Sequence, residues 1–294
     1  MAEIKRRTLG SPIRWAGSKK RIVNQLFNYF PNDKEYYIEP FLGSGTVLLN
    51  ILDRKEDFGF KKYYVNDAND NIIKFYKSLK ENNSKTVSSI KRIVNKYNSL
   101  KNESEKESMY YEIREKYNSN SINENTKNIY FYFLMKTGFN GVYRVNSNGK
   151  FNVPFGRKNA IPCNYDCLKN IEKEIKNVEF YSEDYKQFLD NANKKGILNK
   201  SFIYFDPPYL PEDESVYQIQ MLYSIDEFNH VEFANILEKL NKEKAKYIVS
   251  MSASKNANNI YNKECFKRIE IDTLTRTVNP IKGFKSVEII YTNI

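Results

Sequence analysis

The chain is poor in the residues that many enzyme chemistries depend on. It carries one histidine, His230, in 294 residues, which argues against a histidine-built metal site and against a Ser-His-Asp triad. Three cysteines (Cys163, Cys167, Cys265) are too few for a disulfide framework and suit a reducing compartment. Cys163 and Cys167 have helical spacing, but no second pair or neighbouring histidine completes a zinc site, so no metal is expected. No apolar run approaches the roughly 18 residues of a membrane span, and the mean hydropathy is −0.68. The opening, Met1 to Gly10, lacks the apolar stretch of a signal peptide. These absences lead to the expectation of a soluble, cytoplasmic protein.

What is present is a chain 40% hydrophobic, able to bury a core, and basic: 47 Lys+Arg against 36 Asp+Glu, a net charge of +11. An AT-rich genome raises lysine by drift, but drift spreads charge evenly, and here it is segregated. Residues 1–20 hold six basic groups (Lys5, Arg6, Arg7, Arg14, Lys19, Lys20) against Glu3, and residues 70–163 hold 17 basic and 8 acidic groups. The remainder has 24 basic and 27 acidic groups, so two segments carry all of the excess. Localised positive charge points to a polyanionic partner.

The patterning separates the same segments. Tyr36 to Phe41 reads as a buried strand, Leu42-Gly43-Ser44-Gly45 as a turn and Thr46 to Leu52 as a helix start, the opening of a nucleotide-binding α/β unit. A second strand, Lys62 to Asn66, ends at Asp67, placed to accept from ribose hydroxyls. From Asp70 to Cys163 the texture is helical, with a polar interruption over 101–108. Residues 142–146 and 150–153 then flank Ser147-Asn148-Gly149 as a hairpin. Further strands are expected at 178–181, 201–205, 246–250 and 288–291, with an amphipathic helix over 228–240. The expected architecture is an α/β domain (1–69 and 164–294) interrupted by a basic, mainly helical insert (70–163).

Asp206-Pro207-Pro208-Tyr209, closing a strand, is the sharpest chemical feature. Ligands of open parallel sheets bind outside the carboxyl ends of the strands. An exocyclic nucleobase amine is a poor nucleophile because its lone pair is delocalised into the ring. The Asp206 carboxylate and the Pro207 carbonyl can each accept one N–H, and the Tyr209 ring offers a stacking face.

Phe41-x-Gly43-x-Gly45 followed by Asp206-Pro-Pro-Tyr209 resembles S-adenosylmethionine-dependent amino-methyltransferases. Arg14-Trp15-Ala16-Gly17-Ser18-Lys19, the run from Phe139 to Arg157 and the closing Lys285 to Asn293 narrow the resemblance to the Dam-type (D12 class, alpha group) DNA adenine-N6 methyltransferases, bacterial or phage proteins of the nucleoid. The resemblance implies a Rossmann-like methyltransferase sheet with an inserted target-recognition domain, in a protein that is monomeric in solution and acts on double-stranded DNA. It implies that Trp15, Ala16, Gly17, Lys19, Glu39, Phe41, Gly43 and Gly45 would line the S-adenosylmethionine pocket. Asp67 would hold the ribose, Asp184 the cofactor's adenine amine, and Phe205 with Pro207 its ring. Asp206, Pro207 and Tyr209 would hold a target adenine flipped from the duplex. In the insert, Phe139 would fill the gap left by that base, and Asn140, Arg144 and Pro154 would meet base edges, with Arg14 as a further guanine reader. Val142, Asn146, Arg157 and Lys158 share that face.

The sequence departs from the family at Arg14 (usually lysine), Ser18 (glycine), Met251 (asparagine) and Lys158 (tyrosine). Those on the recognition face, together with Val142, bear on the recognised sequence, for which GATC is the first expectation. A companion restriction enzyme is not legible. Two other readings stay open: methylation of a ribosomal RNA guanine amine, which leaves the N-terminal element and the hairpin unexplained, and an inactive DNA-binding regulator, disfavoured by the intact Asp206, Gly43 and Gly45. His230, opening a helix, is assigned no chemistry.

Overall fold

A computed structural model describes residues 8–119, 121–210, 228–276 and 284–294. The basic residues Lys5, Arg6 and Arg7 lie outside the described residues.

Alternation of buried residues within each strand builds the sheet. Tyr37, Tyr63, Val65, Phe202, Tyr204 and Ile248 point into one hydrophobic layer. Their neighbours Ile38, Tyr64, Ile203, Phe205, Tyr247 and Val249 point into the other. Burial on both faces requires helices on both sides. The seven strands are β1 (Tyr36–Glu39), β2 (Lys62–Asn66), β3 (Val178–Tyr181), β4 (Ser201–Phe205), β5 (Lys246–Ser252), β6 (Lys267–Arg276) and β7 (Phe284–Thr292). Their order is β3-β2-β1-β4-β5-β7-β6. β1 to β5 pair in parallel, and β7 runs antiparallel to both neighbours. The chain moves one way from β1 to β2 and returns on the other side at β4, which opens a crevice at the carboxyl ends of β1 and β4.

Four long helices, Asp70–Glu81, Asn83–Ser99, Glu103–Tyr117 and Glu124–Thr137, lie between β2 and β3 in sequence. Their apolar faces (Phe75, Tyr76, Tyr97, Phe131, Tyr132) continue the layer on one side of the sheet without a break. Helices Tyr185–Lys194, His230–Lys242 and Lys255–Tyr261 supply apolar residues to the other layer. Asparagine side chains cap five helices: Asn69, Asn102, Asn123, Asn164 and Asn229 each accept from a backbone N–H of the first turn. Each such cap is worth about 1 kcal/mol.

Three sequence expectations need correction. The polar stretch over 101–108 interrupts the helical texture only at Lys101 and Asn102; from Glu103 on it opens the helix Glu103–Tyr117. It is mostly exposed and shows no apolar period; the Asn102 cap and the first-turn Glu103 and Glu105 hold it instead. β6 carried no continuous apolar run and was not expected. It is an edge strand, paired only with β7, and needs few apolar residues (Ile269 and Ile271 pack inward). The hairpin around Ser147-Asn148-Gly149 is a turn closed by a single antiparallel bridge, Val145 to Phe151, rather than two extended strands. Asn146 organises it: its Oδ1 accepts from the N–H groups of Asn148 (3.1 Å) and Lys150 (3.0 Å). Among the described residues no helix is long and apolar enough to cross a membrane.

Candidate active site and nucleic-acid face

The loops after β1 and β2 are tied together through backbone N–H groups. After β1 the chain turns through Gly43 (φ +50°) and Gly45 (φ +72°). A side chain at Gly45 would place its Cβ 2.3 Å from the hydroxyl of buried Tyr76. That hydroxyl donates to the Ser44 carbonyl (2.7 Å). The Gly43 N–H donates to Asp67 Oδ2 (2.7 Å) and the Asn69 N–H to Asp67 Oδ1 (2.8 Å). Burial nonetheless outweighs these two bonds and pushes the Asp67 carboxyl up from 3.8 to about 6.

Glu39 ends β1 and is fully buried. The Tyr37 hydroxyl donates to it (2.9 Å). Burial drives its carboxyl well above the ordinary range, the Tyr37 bond opposes this, and the nearby charges of Asp206 and Asp67 add to it. Phe41 packs against Tyr185 (ring centroids 5.2 Å apart), Phe228 (5.7 Å) and Phe205 (6.4 Å), forming an aromatic wall beside the glycine turn. Asp184 lies three residues beyond β3 rather than at its end, and caps the helix Tyr185–Lys194 by accepting from the Lys186 N–H (2.9 Å).

The N-terminal element reaches the same place from outside the sheet. Lys19, 5% exposed, donates to the Gly17 carbonyl (2.9 Å) and to Asp206 Oδ2 (2.5 Å). Its ammonium also stands 5.0 Å from the centroid of the Tyr209 ring. Ala16 and Gly17 are exposed. Ser18, where the family has glycine, shares a hydrogen bond with Thr46 (3.0 Å), so the departure ties this element to the helix after the glycine turn. The other departure near the site is equally quiet: Met251 packs in the hydrophobic layer, while Ser250 shares a hydrogen bond with the Tyr204 hydroxyl (2.8 Å). Pro207 is buried and Phe205 fully so.

Trp15 stacks on Tyr143 (5.9 Å, 28°), joining the N-terminal element to the turn over 142–153. Arg14 lies against Gly141, where a Cβ would fall 2.4 Å from Arg14 Cγ. The structure thus brings Arg14 against the short helical turn Phe139–Gly141 at its Gly141 end. Phe139 is 51% exposed, one of three exposed large hydrophobic residues among those described. Asn140 is left-handed (φ +53°). Arg144 donates through Nε to Asn152 Oδ1 (2.8 Å) and through Nη2 to the Asn152 carbonyl (3.4 Å), which sets the plane of its guanidinium. The Pro154 ring is exposed and its carbonyl accepts from the Phe139 N–H (3.0 Å). Val142 is half-buried against the hydrophobic layer. Arg157 is 80% exposed, 3.6 Å from Glu103, and the Lys158 carbonyl accepts from the Tyr97 hydroxyl.

Sequence reasoning missed the residues behind the front line: Tyr76 under Ser44, Tyr143 under Trp15, Tyr204 beside Ser250, and Glu288, which accepts from the Tyr209 hydroxyl. One signal was available, a lone carboxylate inside an apolar strand run (Val287-Glu288-Ile289). The tyrosines gave none, since 23 are scattered through the chain. Among the described residues no group of three or more His, Cys, Asp or Glu could hold a metal ion.

Comparison with known proteins gives this geometry its context. A Type II methyltransferase of Methanocaldococcus jannaschii, M.MjaIII, is 34% identical over 82% of this chain and 83% of its own. The DNA adenine methylase of Haemophilus influenzae is 29% identical over 95% and 91%. The Lactococcus lactis Type II methyltransferase M1.LlaDCHI is 25% identical over 95% and 94%. Residues 15–277 match the family model of the D12 class N6 adenine-specific DNA methyltransferases, taking in both the Trp15–Lys19 element and the Asp206–Tyr209 loop, and the chain belongs to that family.

Proposed function

We propose that the chain transfers a methyl group from S-adenosylmethionine to N6 of an adenine flipped out of duplex DNA, within a short site read by residues of 139–157 and Arg14. The observation that carries this reading is the Asp206–Tyr209 loop beside the β1 glycine turn, with Asp206 held at 2.5 Å by Lys19.

The residues present fit the cofactor by their chemistry. Asp67, oriented by two backbone N–H groups, is an acceptor for ribose hydroxyls. Phe41 and Phe205 offer apolar walls for a flat ring, and Asp184 a carboxylate beside them. Asp67 and Asp206 both lie close enough to Glu39 to act on it electrostatically, and a cation placed among the three would ease that repulsion. Gly43 and Gly45 let backbone approach a ligand without a side chain between. When bound, S-adenosylmethionine supplies an electrophilic methyl group on a sulfonium.

The chain's own residues do the rest. Asp206 and the Pro207 carbonyl each accept one N–H of the target amine, which draws its lone pair out of ring conjugation and aims it. Pro207 and Pro208 restrict the loop so that the two acceptors keep their spacing. Tyr209 stacks on the base. The target amine takes the place at Asp206 that the Lys19 ammonium holds in this structure. Catalysis is therefore largely positioning and preset electrostatics.

In the segment 70–163, read as the target-recognition domain, exposed Phe139 occupies the gap left by the flipped base, and Arg144, Asn140, Pro154 and Arg14 read base edges. Arg157 and Lys158 flank them. The similarity of 139–157 to the Dam-type hairpin favours GATC. Transfer of a radiolabelled methyl group to duplex DNA, with mapping of N6-methyladenine in a host expressing the protein, tests the reading. Asp206→Ala is expected to abolish transfer while duplex binding persists. Retained transfer by Asp206→Ala would refute the assigned role, and methylation outside GATC would refute that site.

A further inference from the structure

Glu288 sits in the interior of β7, between Val287 and Ile289, with no solvent exposure. Its strand is paired on both sides, Glu288 standing opposite Ser252 of β5 and Asp272 of β6. A carboxylate in such a place is retained against a large desolvation penalty and needs donors. The Tyr209 hydroxyl is one, donating to Glu288 Oε1 at close range.

Tyr209 is the last residue of the Asp-Pro-Pro-Tyr loop and lies beyond the end of β4, outside the support of the sheet's own ladder. Its ring packs on the second hydrophobic layer and faces the Lys19 ammonium at 5.0 Å. That ammonium in turn holds Asp206. A chain of contacts therefore runs from the interior of β7 through Glu288, Tyr209 and Lys19 to Asp206. Of these, only Glu288 is anchored in a strand paired on both sides. A hydrogen bond to an ionised acceptor is shorter and stronger than one between neutral groups, which suits a carboxylate to fixing the far end of a loop side chain.

We propose that Glu288 is a positioning residue for methyl transfer: by holding the Tyr209 hydroxyl it fixes the plane of the ring on which the target adenine stacks. The inference rests on the reading of Tyr209 as that stacking face. It assigns Glu288 no contact with DNA or cofactor.

The test follows single-turnover methylation of duplex DNA and, in parallel, the fluorescence of 2-aminopurine placed at the target position, which is quenched when stacked. The proteins are wild type, Glu288→Gln, Glu288→Leu, Tyr209→Phe, Tyr209→Ala and the double variant Glu288→Leu with Tyr209→Phe. Glutamine still accepts the hydroxyl; leucine does not. Glu288→Leu and Tyr209→Phe are each expected to slow the transfer step about 10- to 100-fold, the range of a misplaced reacting group. Both should brighten the bound 2-aminopurine, with cofactor and duplex affinities within about threefold of wild type. Glu288→Gln should recover most of the rate, and Glu288→Leu should cost nothing further once Tyr209 is Phe. An equal cost in both backgrounds, or Glu288→Gln as slow as Glu288→Leu, overturns the inference. Should Glu288→Leu not fold, Tyr209→Phe decides: wild-type rate and fluorescence would overturn it. Tyr209→Ala separates the two levels. If it methylates at the wild-type rate, the stacking role itself fails; if it is disabled while Tyr209→Phe and Glu288→Leu are normal, only the role of Glu288 fails.

Discussion

Lowering the pH from 8 to 5 is expected to weaken S-adenosylmethionine binding about tenfold through Asp67 alone. Burial raises this carboxyl from 3.8 to about 6, against the pull of the Asn69 and Gly43 N–H groups. Ribose hydroxyls donate best to the ionised form. If only that form binds, the apparent dissociation constant rises by roughly 11-fold at pH 5 and by about 1% at pH 8. A carboxyl at its ordinary value would give a change of under about 10% over the same range. Stability of the ligand-free protein moves the other way. The folded carboxyl holds its proton more tightly than the unfolded chain does. Asp67 therefore costs stability above pH 6, and the cost fades as pH falls towards 4, by at most about 3 kcal/mol. Calorimetric titration of the cofactor at pH 5 to 8, with urea unfolding at the same values, measures both. Glu39, the neighbouring carboxyl raised by burial, titrates in both proteins when Asp67→Asn is the control, so the difference belongs to Asp67. An affinity flat from pH 8 to 5, or an equal slope in Asp67→Asn, would show that the loop does not hold the cofactor through this carboxylate.

Three further perturbations probe other parts of the site. Gly45→Ala forces a left-handed alanine and drives its Cβ into the Tyr76 hydroxyl at 2.3 Å, breaking the bond to Ser44. A loss of about 2–4 kcal/mol in urea unfolding is expected, and a loss under about 1 kcal/mol would refute the clash. Arg144→Ala should relax discrimination at one guanine by about 1–3 kcal/mol, read from kcat/KM on duplexes substituted at each position. Equal weakening on every sequence would instead identify a phosphate contact. Lys19→Met removes an ammonium shared by Gly17 and Asp206. It should lower the unfolding free energy of the ligand-free protein by about 1–3 kcal/mol, and unchanged stability would count against the pair as a buried contact.

The sequence disclosed most where burial is two-sided. β1, β2 and β4 are continuous apolar runs ending at the chemical residues, and their expected ends agree with the structure to within two residues. The edge strand β6 and the first turns of Glu103–Tyr117 stayed hidden because neither depends on an apolar period; one is held by a single neighbour and the other by a cap and the helix dipole. The same division runs through the site. Asp67, Asp206 and the two glycines announce themselves by spacing relative to strand ends. Tyr76, Tyr143, Tyr204 and Glu288 act through tertiary contacts 32 or more positions away in sequence: Ser44, Trp15, Ser250 and Tyr209. No local pattern encodes such a pairing. Arg14 meets Gly141 for the same reason, across the seam between the N-terminal element and the segment 70–163.

The charge of the chain and the chemistry of its pocket are then one arrangement. Burial is the main reason the Tyr204 hydroxyl resists ionisation, but Asp206, Glu288 and Glu39 all add to it, and Glu39 in turn is acted on by Asp206 and Asp67. Four carboxylates from β1, β2, β4 and β7 thus converge, with the Lys19 ammonium among them. On the proposed reading, whatever negative charge these groups carry would attract a sulfonium and lose that attraction once the methyl has gone and the sulfur is neutral. It also repels phosphate. The proposed recognition segment instead carries 17 basic against 8 acidic groups over residues 70–163, a balance that attracts phosphate. On the proposed reading, the segregation of charge along the chain separates the group to be gripped from the group to be methylated.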